Sequence, residues 1–247
     1  MNARAARADV ALVERGFFPS RAKAREAIEA GLVRVAGRIV VKPSEPIAPE
    51  ASIDARAPYE WVSRGGVKLA AALDAFALDP RDKRCLDIGA STGGFTHVLL
   101  TAGAQRVLAV DVGHGQLHER IAGDPRVVSL EQTDARKLTA DAVAASLRGA
   151  PQFIVVDVSF IPLRLVLPHV LALAAPEAEL VALVKPQFEA GREHVRKGVV
   201  RDEKIHAAVL ADAAEAVARC GWSLIGDMPS PIEGGDGNRE FLIAARR

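Results

Sequence analysis

The sequence predicts an α/β protein in which a mostly parallel sheet follows a small N-terminal α+β domain. From about residue 60, seven apolar segments typical of strands alternate with helical segments, a pattern that places helices on both faces of a parallel sheet. Three prolines, Pro43, Pro46 and Pro49, can continue neither a helix nor a strand. We therefore predict domains at residues 1–46 and 62–247, joined by a linker at 47–61.

The N-terminal domain is predicted from a helix followed by a hairpin. Ser20 is a suitable N-cap for a helix over residues 21–30, which Gly31 would end, and residues 32–41 have the pattern of two short strands around a turn. Residues 1–42 hold nine Lys or Arg and four acids, a net charge of +5, which leaves −4 for the rest of a chain of net charge +1. This imbalance indicates polyanion binding, although a solvated basic helix face has the same composition.

The second domain alternates strands with helices along its length. Predicted strands are Arg84 to Ile88, Arg106 to Asp111, Val127 to Glu131, Phe153 to Asp157, Glu179 to Val184, Gly221 to Pro229 and Arg239 to Ala245. Predicted helices are Lys68 to Phe76, Phe95 to Ala102, Leu163 to Ala174 and Glu203 to Arg219. Because open α/β sheets bind ligands at the carboxyl ends of their strands, the residues that follow each strand are the first candidates for a site.

The composition excludes several classes of protein. No apolar run approaches the roughly 20 residues of a membrane helix, and the first 16 residues lack the apolar core of a secretory signal. The two cysteines, Cys85 and Cys220, provide neither a disulfide framework nor metal-ligand spacing. We therefore expect a cytoplasmic protein with no metal site and no membrane segment.

A glycine-rich turn follows the first predicted strand of the second domain. It contains the candidate cofactor-binding residues Asp87, Gly89, Ser91, Thr92, Gly93 and Gly94. Glycines let the backbone approach a ligand closely, and the start of the next helix offers free N–H groups. Ser91 stands where a dinucleotide fingerprint needs a second glycine, and Asp87 would repel a pyrophosphate. The turn is better suited to a ligand with an ammonium group, such as S-adenosylmethionine.

Two further acids follow the next two strands. Asp111 closes the second strand, where ribose hydroxyls are bound in sheets of this type, and Asp134 follows the third strand, where it could accept a hydrogen bond from an adenine amino group. Each acid alone is more often a helix N-cap or a solvated loop residue. Together with the glycine turn they predict a site for S-adenosylmethionine.

Strands four and five of this domain end on ionisable residues, Asp157 and Lys185. The residues after Asp157 are Val158-Ser159-Phe160, which lack the Pro-Pro-aromatic run of amino-directed methyltransferases. Neither cysteine is placed to act as the nucleophile of a cytosine-carbon methyltransferase. The pattern favours an oxygen acceptor activated by lysine, although structural lysine–carboxylate pairs would look the same.

Four ordered motifs resemble those of FtsJ-type ribose methyltransferases. The family's Lys-Asp-Lys-Glu tetrad matches Lys68 in SRGGVKL, Asp157 in VVDVSF, Lys185 in LVKPQFE and Glu240 in GNREFLI. Residues RADVALVERGFFPSRAKAREAIEAGLVRVAGRIVVKP resemble an "S-four" RNA-binding domain, named for a small-subunit ribosomal protein. The order of the two domains is that of the TlyA (haemolysin A) family.

This resemblance implies a Rossmann-like methyltransferase domain with a seven-stranded sheet, and S-adenosylmethionine as the cofactor. It implies methylation of the 2′-oxygen of cytidine in ribosomal RNA, 16S, 23S or both, with ribosomal RNA or ribosomal subunits as the partner. A free lysine, with a pKa of about 10.4, is almost fully protonated at neutral pH, and burial or a second ammonium group favours its neutral form. Our hypothesis is that Lys185 takes the 2′-OH proton, helped by Lys68, while Asp157 and Glu240 orient the lysines and the acceptor ribose.

Basic residues are the candidates for RNA contact. We expect phosphate contacts from Arg4, Arg7, Arg21, Lys23, Arg25, Arg34 and Arg64. Three alternatives stay open at this point: a membrane-active haemolysin, a non-catalytic ribosome-assembly factor, and a base methyltransferase. The intact tetrad argues against the second of these, and the lack of a strongly amphipathic apolar helix argues against the first.

Overall fold

The computed structural model describes residues 5–247, which form two compact units. The first unit ends at Glu60 and the second begins at Trp61. The first unit therefore extends beyond residue 46, through most of the stretch that the prolines indicated as a linker. Within residues 5–247, no helix combines the length and the apolar composition needed to cross a membrane.

The first unit is a small α+β fold. Its elements are β1 (Ala6–Arg7), α1 (Ala8–Glu14), α2 (Arg21–Glu29), β2 (Val33–Val35), β3 (Arg38–Ile39), β4 (Pro46–Ile47) and β5 (Ile53–Ala55). Strand β2 pairs antiparallel with β3 and β5, and β1 pairs antiparallel with β4. Strand β5 forms inside the expected linker because Ile53 and Ala55 pack against the buried cluster that includes Leu12 and Ile28.

Local sequence accounts for helix α2. The Ser20 side chain accepts a hydrogen bond from the backbone N–H of Lys23 at 3.3 Å, which satisfies a helix-start donor, as expected for an N-cap. Ala24, Ala27 and Ile28 lie on one face and are buried against α1. The opposite face is left for charged residues.

The second unit is an α/β sandwich. Its strands are β6 (Arg84–Ile88), β7 (Arg106–Val110), β8 (Val127–Leu130), β9 (Phe153–Val156), β10 (Glu179–Val184), β11 (Ser223–Pro229) and β12 (Phe241–Arg246). Its α-helices are α3 (Gly65–Ala75), α4 (Gly94–Thr101), α5 (Glu119–Ala122), α6 (Ala140–Leu147), α7 (Leu167–Leu171), α8 (Pro186–Glu189) and α9 (Glu203–Arg219). Short 3₁₀ turns lie at Ala135–Lys137, Leu163–Leu165, Arg192–His194 and Gly235–Gly237.

The seven strands form one sheet in the order β11-β12-β10-β9-β6-β7-β8. Every neighbouring pair from β10 to β8 is parallel, whereas β12 is antiparallel to both β10 and β11. The predicted mostly parallel seven-stranded sheet is therefore confirmed. The chain adds β7 and β8 on one side of β6 and then β9 and β10 on the other side. This change in strand order marks the switch point, where sheets of this kind bind ligands.

Helices cover both faces of the sheet. Helices α3 and α4 contribute Leu69, Phe95 and Leu99 to one buried cluster, and α6, α7 and α9 supply the opposite face. Strands β9 and β10 are buried along their whole length, which explains their unbroken apolar runs. Their register pairs Val156 with Ala182, so the residues that follow both strands emerge at one edge of the sheet.

Candidate active site

Two lysine–carboxylate pairs lie at the edge where β9 and β10 end. Nζ of Lys185 lies 2.5 Å from Oδ1 of Asp157 and donates a hydrogen bond to Oγ of Ser159 at 3.0 Å. Lys68 of α3 donates to Glu240, and both side chains are buried. Glu240 directly precedes β12, which runs antiparallel beside β10, so its carboxylate reaches the same edge. The structure thus places the four tetrad residues at one edge of the sheet.

Gln187, a side chain that was not predicted from the sequence, binds the Glu240 carboxylate and follows Lys185 closely in the chain. Nε2 of Gln187 donates to Oε1 of Glu240 at 3.3 Å, and Gln187 lies two residues after Lys185 on helix α8. A cavity of about 410 Å³ is lined by Lys185, Gln187 and Glu240, among others. Lys68 does not line this cavity. It lies on helix α3 and binds the Glu240 carboxylate from that helix.

A second cavity of about 530 Å³ opens beside the ends of β6, β7 and β9. Four of the predicted cofactor-binding residues line it, together with Asp157: Gly89, Ser91, Asp111 and Asp134. This volume lies in the range of small-molecule sites. Ser159 and Phe160 line both cavities, so the two cavities adjoin at this pair of residues.

The two acids of the larger cavity are held by different donors. Asp111 accepts hydrogen bonds from the backbone N–H groups of Ser91 at 2.8 Å and Gly113 at 2.7 Å. Asp134 binds the Arg136 guanidinium at 2.6 Å, and this bonding lowers the pKa of Asp134 to about 2. Asp134 is therefore ionised at neutral pH, with an arginine beside it in the cavity wall.

Asp87 differs from the other acids because it lies under the glycine turn and lines neither cavity. It is fully buried, one carboxylate oxygen accepts a hydrogen bond from Oγ1 of Thr96 at 2.6 Å, and the other has no hydrogen-bond partner in the part of the chain that the structure describes. Burial raises the pKa of Asp87 to about 7, and the nearby carboxylates of Asp157 and Asp111 add to the rise.

The glycines of the turn permit close packing. Gly89 has φ of +82°, and a Cβ atom there would lie 2.2 Å from the carbonyl oxygen of Asp157. Gly93 is the left-handed N-cap of α4, and a Cβ on Gly94 would lie 2.1 Å from Oγ of Ser63. Thr92, Gly93 and Gly94 do not line the larger cavity. Gly89 thus allows the glycine turn to pack directly against the backbone of Asp157, at the end of β9.

Several residues of the site were not predicted. Ser159 and Phe160 lie two and three residues after Asp157, and their sequence pattern argued only against amino-directed chemistry. Phe160 has φ of +65°, its side chain is 89% exposed, and its ring centroid lies 4.9 Å from that of Phe188. Proximity to the tetrad motifs was the available signal for these residues and for Asn238, which lies two residues before Glu240 in the smaller cavity.

Three of the predicted RNA-binding arginines converge on one acid of the first unit. Asp9 is fully buried and accepts hydrogen bonds from Arg7 at 2.9 Å, Arg21 at 2.9 Å and Arg25 at 3.2 Å. These bonds, that from Arg7 above all, hold the pKa of Asp9 well below its usual range. Each arginine side chain is about half exposed, with relative accessibilities of 47%, 52% and 49%. We refer to Asp9, Arg7, Arg21 and Arg25 as the arginine cluster.

The remaining candidates for RNA contact have separate surroundings. Lys23 binds the Tyr59 hydroxyl, and Arg34 donates to the carbonyl oxygen of Gly37 at 3.2 Å. Arg64 belongs to the second unit, where it is exposed and donates to the carbonyl oxygen of Glu233. Arg4 lies outside the described residues.

Fold and site together define a class of enzyme. A seven-stranded sheet with one antiparallel strand, a cofactor-sized cavity at the switch point and an ionisable pair beyond it are the features of an S-adenosylmethionine-dependent methyltransferase. A solved S-adenosylmethionine-dependent methyltransferase from Mesorhizobium loti shares this fold, with a TM-score of 0.50 and 18% identity over 72% of this chain and 96% of its own.

Residues 61–247 match the model of the FtsJ-like methyltransferase family, and residues 6–53 match that of the S4 domain. The chain therefore belongs to the FtsJ-like methyltransferases and carries an N-terminal S4 domain. It is 45% identical to a Mycobacterium tuberculosis protein named 16S/23S rRNA (cytidine-2'-O)-methyltransferase TlyA, over 99% of this chain and 91% of that one. A solved Streptococcus thermophilus chain that carries the hemolysin name has a TM-score of 0.77 and 41% identity, over 99% of this chain and 89% of its own.

Gly89→Ala is expected to destabilise the second unit, because its Cβ would collide with the backbone of Asp157. Gly221→Ala is the matched control: Gly221 has φ of +77°, and an added methyl group there would meet nothing within 4 Å. The control should lose roughly 1–2 kcal/mol of stability through backbone conformation alone. Urea unfolding measures both variants, and an equal loss in the two would contradict the proposed collision.

Asp87→Asn is expected to change the pH dependence of stability. Because the folded pKa of about 7 exceeds the ordinary value of about 3.9, wild-type stability should fall as pH rises from about 4 to about 7. The variant stays neutral and escapes this loss. The free energy of unfolding of the variant, relative to wild type, should therefore increase between pH 5 and pH 8. If the pH profiles of stability of wild type and variant run parallel, the raised pKa of Asp87 is contradicted. Asp74→Asn, a substitution at an exposed position, is the control.

Proposed function

We propose that this protein transfers a methyl group from S-adenosylmethionine to the 2′-oxygen of a cytidine ribose in ribosomal RNA. The observation that carries the proposal is the pair of adjoining cavities, one of cofactor size and the other lined by Lys185 and Glu240. The family membership, the S4 domain and the function named for the Mycobacterium tuberculosis relative support the same substrate. A ribosomal RNA substrate would place the enzyme in the cytoplasm.

The larger cavity fits S-adenosylmethionine by the chemistry of its donors and acceptors. Asp111 would bind the ribose hydroxyls, Asp134 the adenine amino group, and the backbone at Gly89 and Ser91 the methionine part. Asp87 lines neither cavity, so it would attract the methionine ammonium group electrostatically from beneath the turn, without direct contact. Thr92, Gly93 and Gly94 would shape that turn. When bound, S-adenosylmethionine supplies an electrophilic methyl group on a positively charged sulfur, which becomes a neutral thioether after transfer.

The arrangement of the tetrad favours Lys185 over Lys68 as the base. Lys185 lines the acceptor cavity, whereas Lys68 lies behind Glu240 and does not reach the cavity surface. We assign to Lys185, in its neutral amine form, the acceptance of the 2′-OH proton on Nζ, with Asp157 and Ser159 holding that nitrogen in place. The ammonium group that results is then paired with the Asp157 carboxylate. Gln187 and Lys68 bind Glu240 from two sides and fix the carboxylate that would accept a hydrogen bond from the ribose.

Lys185→Ala should abolish most methyl transfer, with a loss in kcat of about 10²–10⁴-fold, because general base catalysis is removed. S-adenosylmethionine binding, measured by calorimetry, should be retained. The matched control is Lys83→Ala, which breaks an ion pair with Glu179 at the opposite end of strand β10. If a folded Lys185→Ala variant keeps near-normal turnover of tritiated methyl groups into ribosomal RNA, the base assignment is wrong.

We further propose that the first unit binds RNA through the arginine cluster and that Asp9 fixes its geometry. A guanidinium group that donates to Asp9 is held in one orientation. Each of the three arginine side chains is also about half exposed, which would leave N–H donors available to a phosphate. Phosphate contacts of this kind position RNA without reading its sequence. Lys23, Arg34, Arg64 and Arg4 would add to the basic surface as further phosphate contacts.

Asp9→Asn separates positioning from simple charge. If charge alone mattered, removal of an acid would tighten RNA binding, whereas loss of positioning should weaken it by about tenfold or more. Glu29→Gln, which removes an exposed acid from the same unit, is the charge control and should bind at least as tightly as wild type. Arg25→Lys keeps the charge and loses the planar fork, so it should also weaken binding. Filter binding at several salt concentrations measures all three, and tighter binding by a folded Asp9→Asn variant would overturn the role of Asp9.

Three experiments test the alternatives. The haemolysin alternative predicts release of dye from protein-free lipid vesicles, for which the described residues offer no membrane-spanning helix. A base-methylated product would still be cleaved by alkali at the modified nucleotide, whereas a 2′-O-methylated one would resist cleavage because the free 2′-OH is gone. Binding of S-adenosylmethionine without any methylated product would favour the non-catalytic assembly factor.

A further inference from the structure

The segment between α8 and α9 carries a cluster of exposed cations. Arg192, Arg196, Lys197 and Arg201 are all exposed, and none of them forms an ion pair with another residue in the described range 5–247. Glu193 is the one acid among residues 190–201, which gives this segment a net charge of +3 with His194 neutral. A concentration of unpaired positive charge of this kind attracts a polyanion.

The tip of this segment is an ordered hairpin. Arg196 and Val199 exchange two backbone hydrogen bonds, each of 3.0 Å. The two residues between them have positive φ, +51° for Lys197 and +80° for Gly198, as in a type I′ turn. The turn therefore presents Arg196 and Lys197 side by side in a defined backbone conformation. We refer to residues 192–201 as the basic hairpin.

The buried side chain of Asn238 connects the basic hairpin to the segment that leads into β12. Nδ2 of Asn238 donates to the carbonyl oxygens of Gly198 at 2.9 Å and Gly235 at 3.0 Å, and Oδ1 accepts from the N–H of Val200 at 3.4 Å. Asn238 is only 3% exposed and lies two residues before Glu240. The position of the basic hairpin is thus set by the segment that also positions a tetrad carboxylate.

The basic hairpin forms part of the rim of the acceptor cavity. Val195 and Gly198 line that cavity together with Lys185 and Glu240, and Arg196 and Lys197 lie between these two lining residues in the chain. A ribose that enters the cavity brings its 5′ and 3′ phosphates to the rim. The backbone of the basic hairpin is therefore beside the place where those phosphates would emerge, and Asp236 is the acid that lines the cavity next to it.

We propose that the basic hairpin is a second RNA-binding surface, on the methyltransferase unit itself, which binds backbone phosphates that flank the target nucleotide. The inference rests on the proposed function, since it takes the acceptor to be an RNA ribose. Arg196 and Lys197 contact phosphate and read no base, so they contribute affinity and placement of the strand over the cavity. Arg192 and Arg201 extend the same surface on either side of the turn.

The test is the double variant Arg196→Gln/Lys197→Gln in the full-length protein, assayed with ribosomal RNA. The matched control is Arg81→Gln/Arg148→Gln, which removes two exposed cations before β6 and β9, at the amino ends of the strands. Arg148 also has positive φ, +62°, so each double variant changes one residue in the left-handed conformation. KM for RNA, kcat, KM for S-adenosylmethionine and the salt dependence of RNA binding are measured for both.

The hairpin variant should raise KM for RNA at least about fivefold, and the slope of log affinity against log salt should fall by about 1.4–1.8, as expected for two lost phosphate contacts. Its kcat at saturating RNA and its KM for S-adenosylmethionine should be unchanged, and the control should match wild type. An unchanged RNA affinity, or an equal loss in the control, overturns the proposal. If wild type transfers no methyl group to ribosomal RNA, the proposed function fails, and the salt slope of RNA binding alone decides whether the hairpin binds RNA.

Discussion

The buried ion pair between Lys68 and Glu240 is the interaction on which the arrangement of side chains at the ends of β9 and β10 depends. It joins helix α3, on one face of the sheet, to the start of β12, within the sheet. Burial of two opposite charges costs desolvation energy that their attraction and further hydrogen bonds must offset. Gln187 provides one such bond to the carboxylate. The pair therefore contributes little net stability, and its main effect is to hold the Glu240 carboxylate in the wall of the smaller cavity.

A second constraint is the contact between the turn after β6 and the end of β9. Parallel neighbouring strands bring their carboxyl ends together, and a glycine at position 89 lets the two backbones touch at Asp157. The larger and the smaller cavity share a wall at Ser159 and Phe160. Transfer of a group between two bound molecules requires this kind of alignment, which can account for a large part of the rate enhancement.

Much of the fold followed from the sequence because buried parallel strands have unbroken apolar runs, and the residue after each run is then at the ligand edge. Asp157 and Lys185 were found in this way, and their proximity follows from the pairing of β9 with β10.

What could not be predicted depends on long-range contact. Asp9 is one ordinary acid in a basic segment until the fold brings Arg21 and Arg25 to it across 12 and 16 residues. The burial of Asp87 could not be predicted from the sequence either. Its position in the motif is that of a cofactor ligand, but the fold encloses it beneath the glycine turn. Strand β5 lies in a segment whose composition indicated a linker, since two alternating apolar residues are a weak signal without their partner strand.

The antiparallel strand β12 has a consequence for how the molecule is made. It lies between β10 and β11, so β11 has no neighbour in the sheet until β12 is present. The segment that leads into β12 also carries Asn238 and Glu240, which line the smaller cavity. A nascent chain that has been synthesised only as far as β11 therefore contains every residue that lines the larger cavity, but lacks the strand that pairs with the edge of β10. The last wall of the smaller cavity and the strand that closes that edge are supplied by the same stretch of polypeptide.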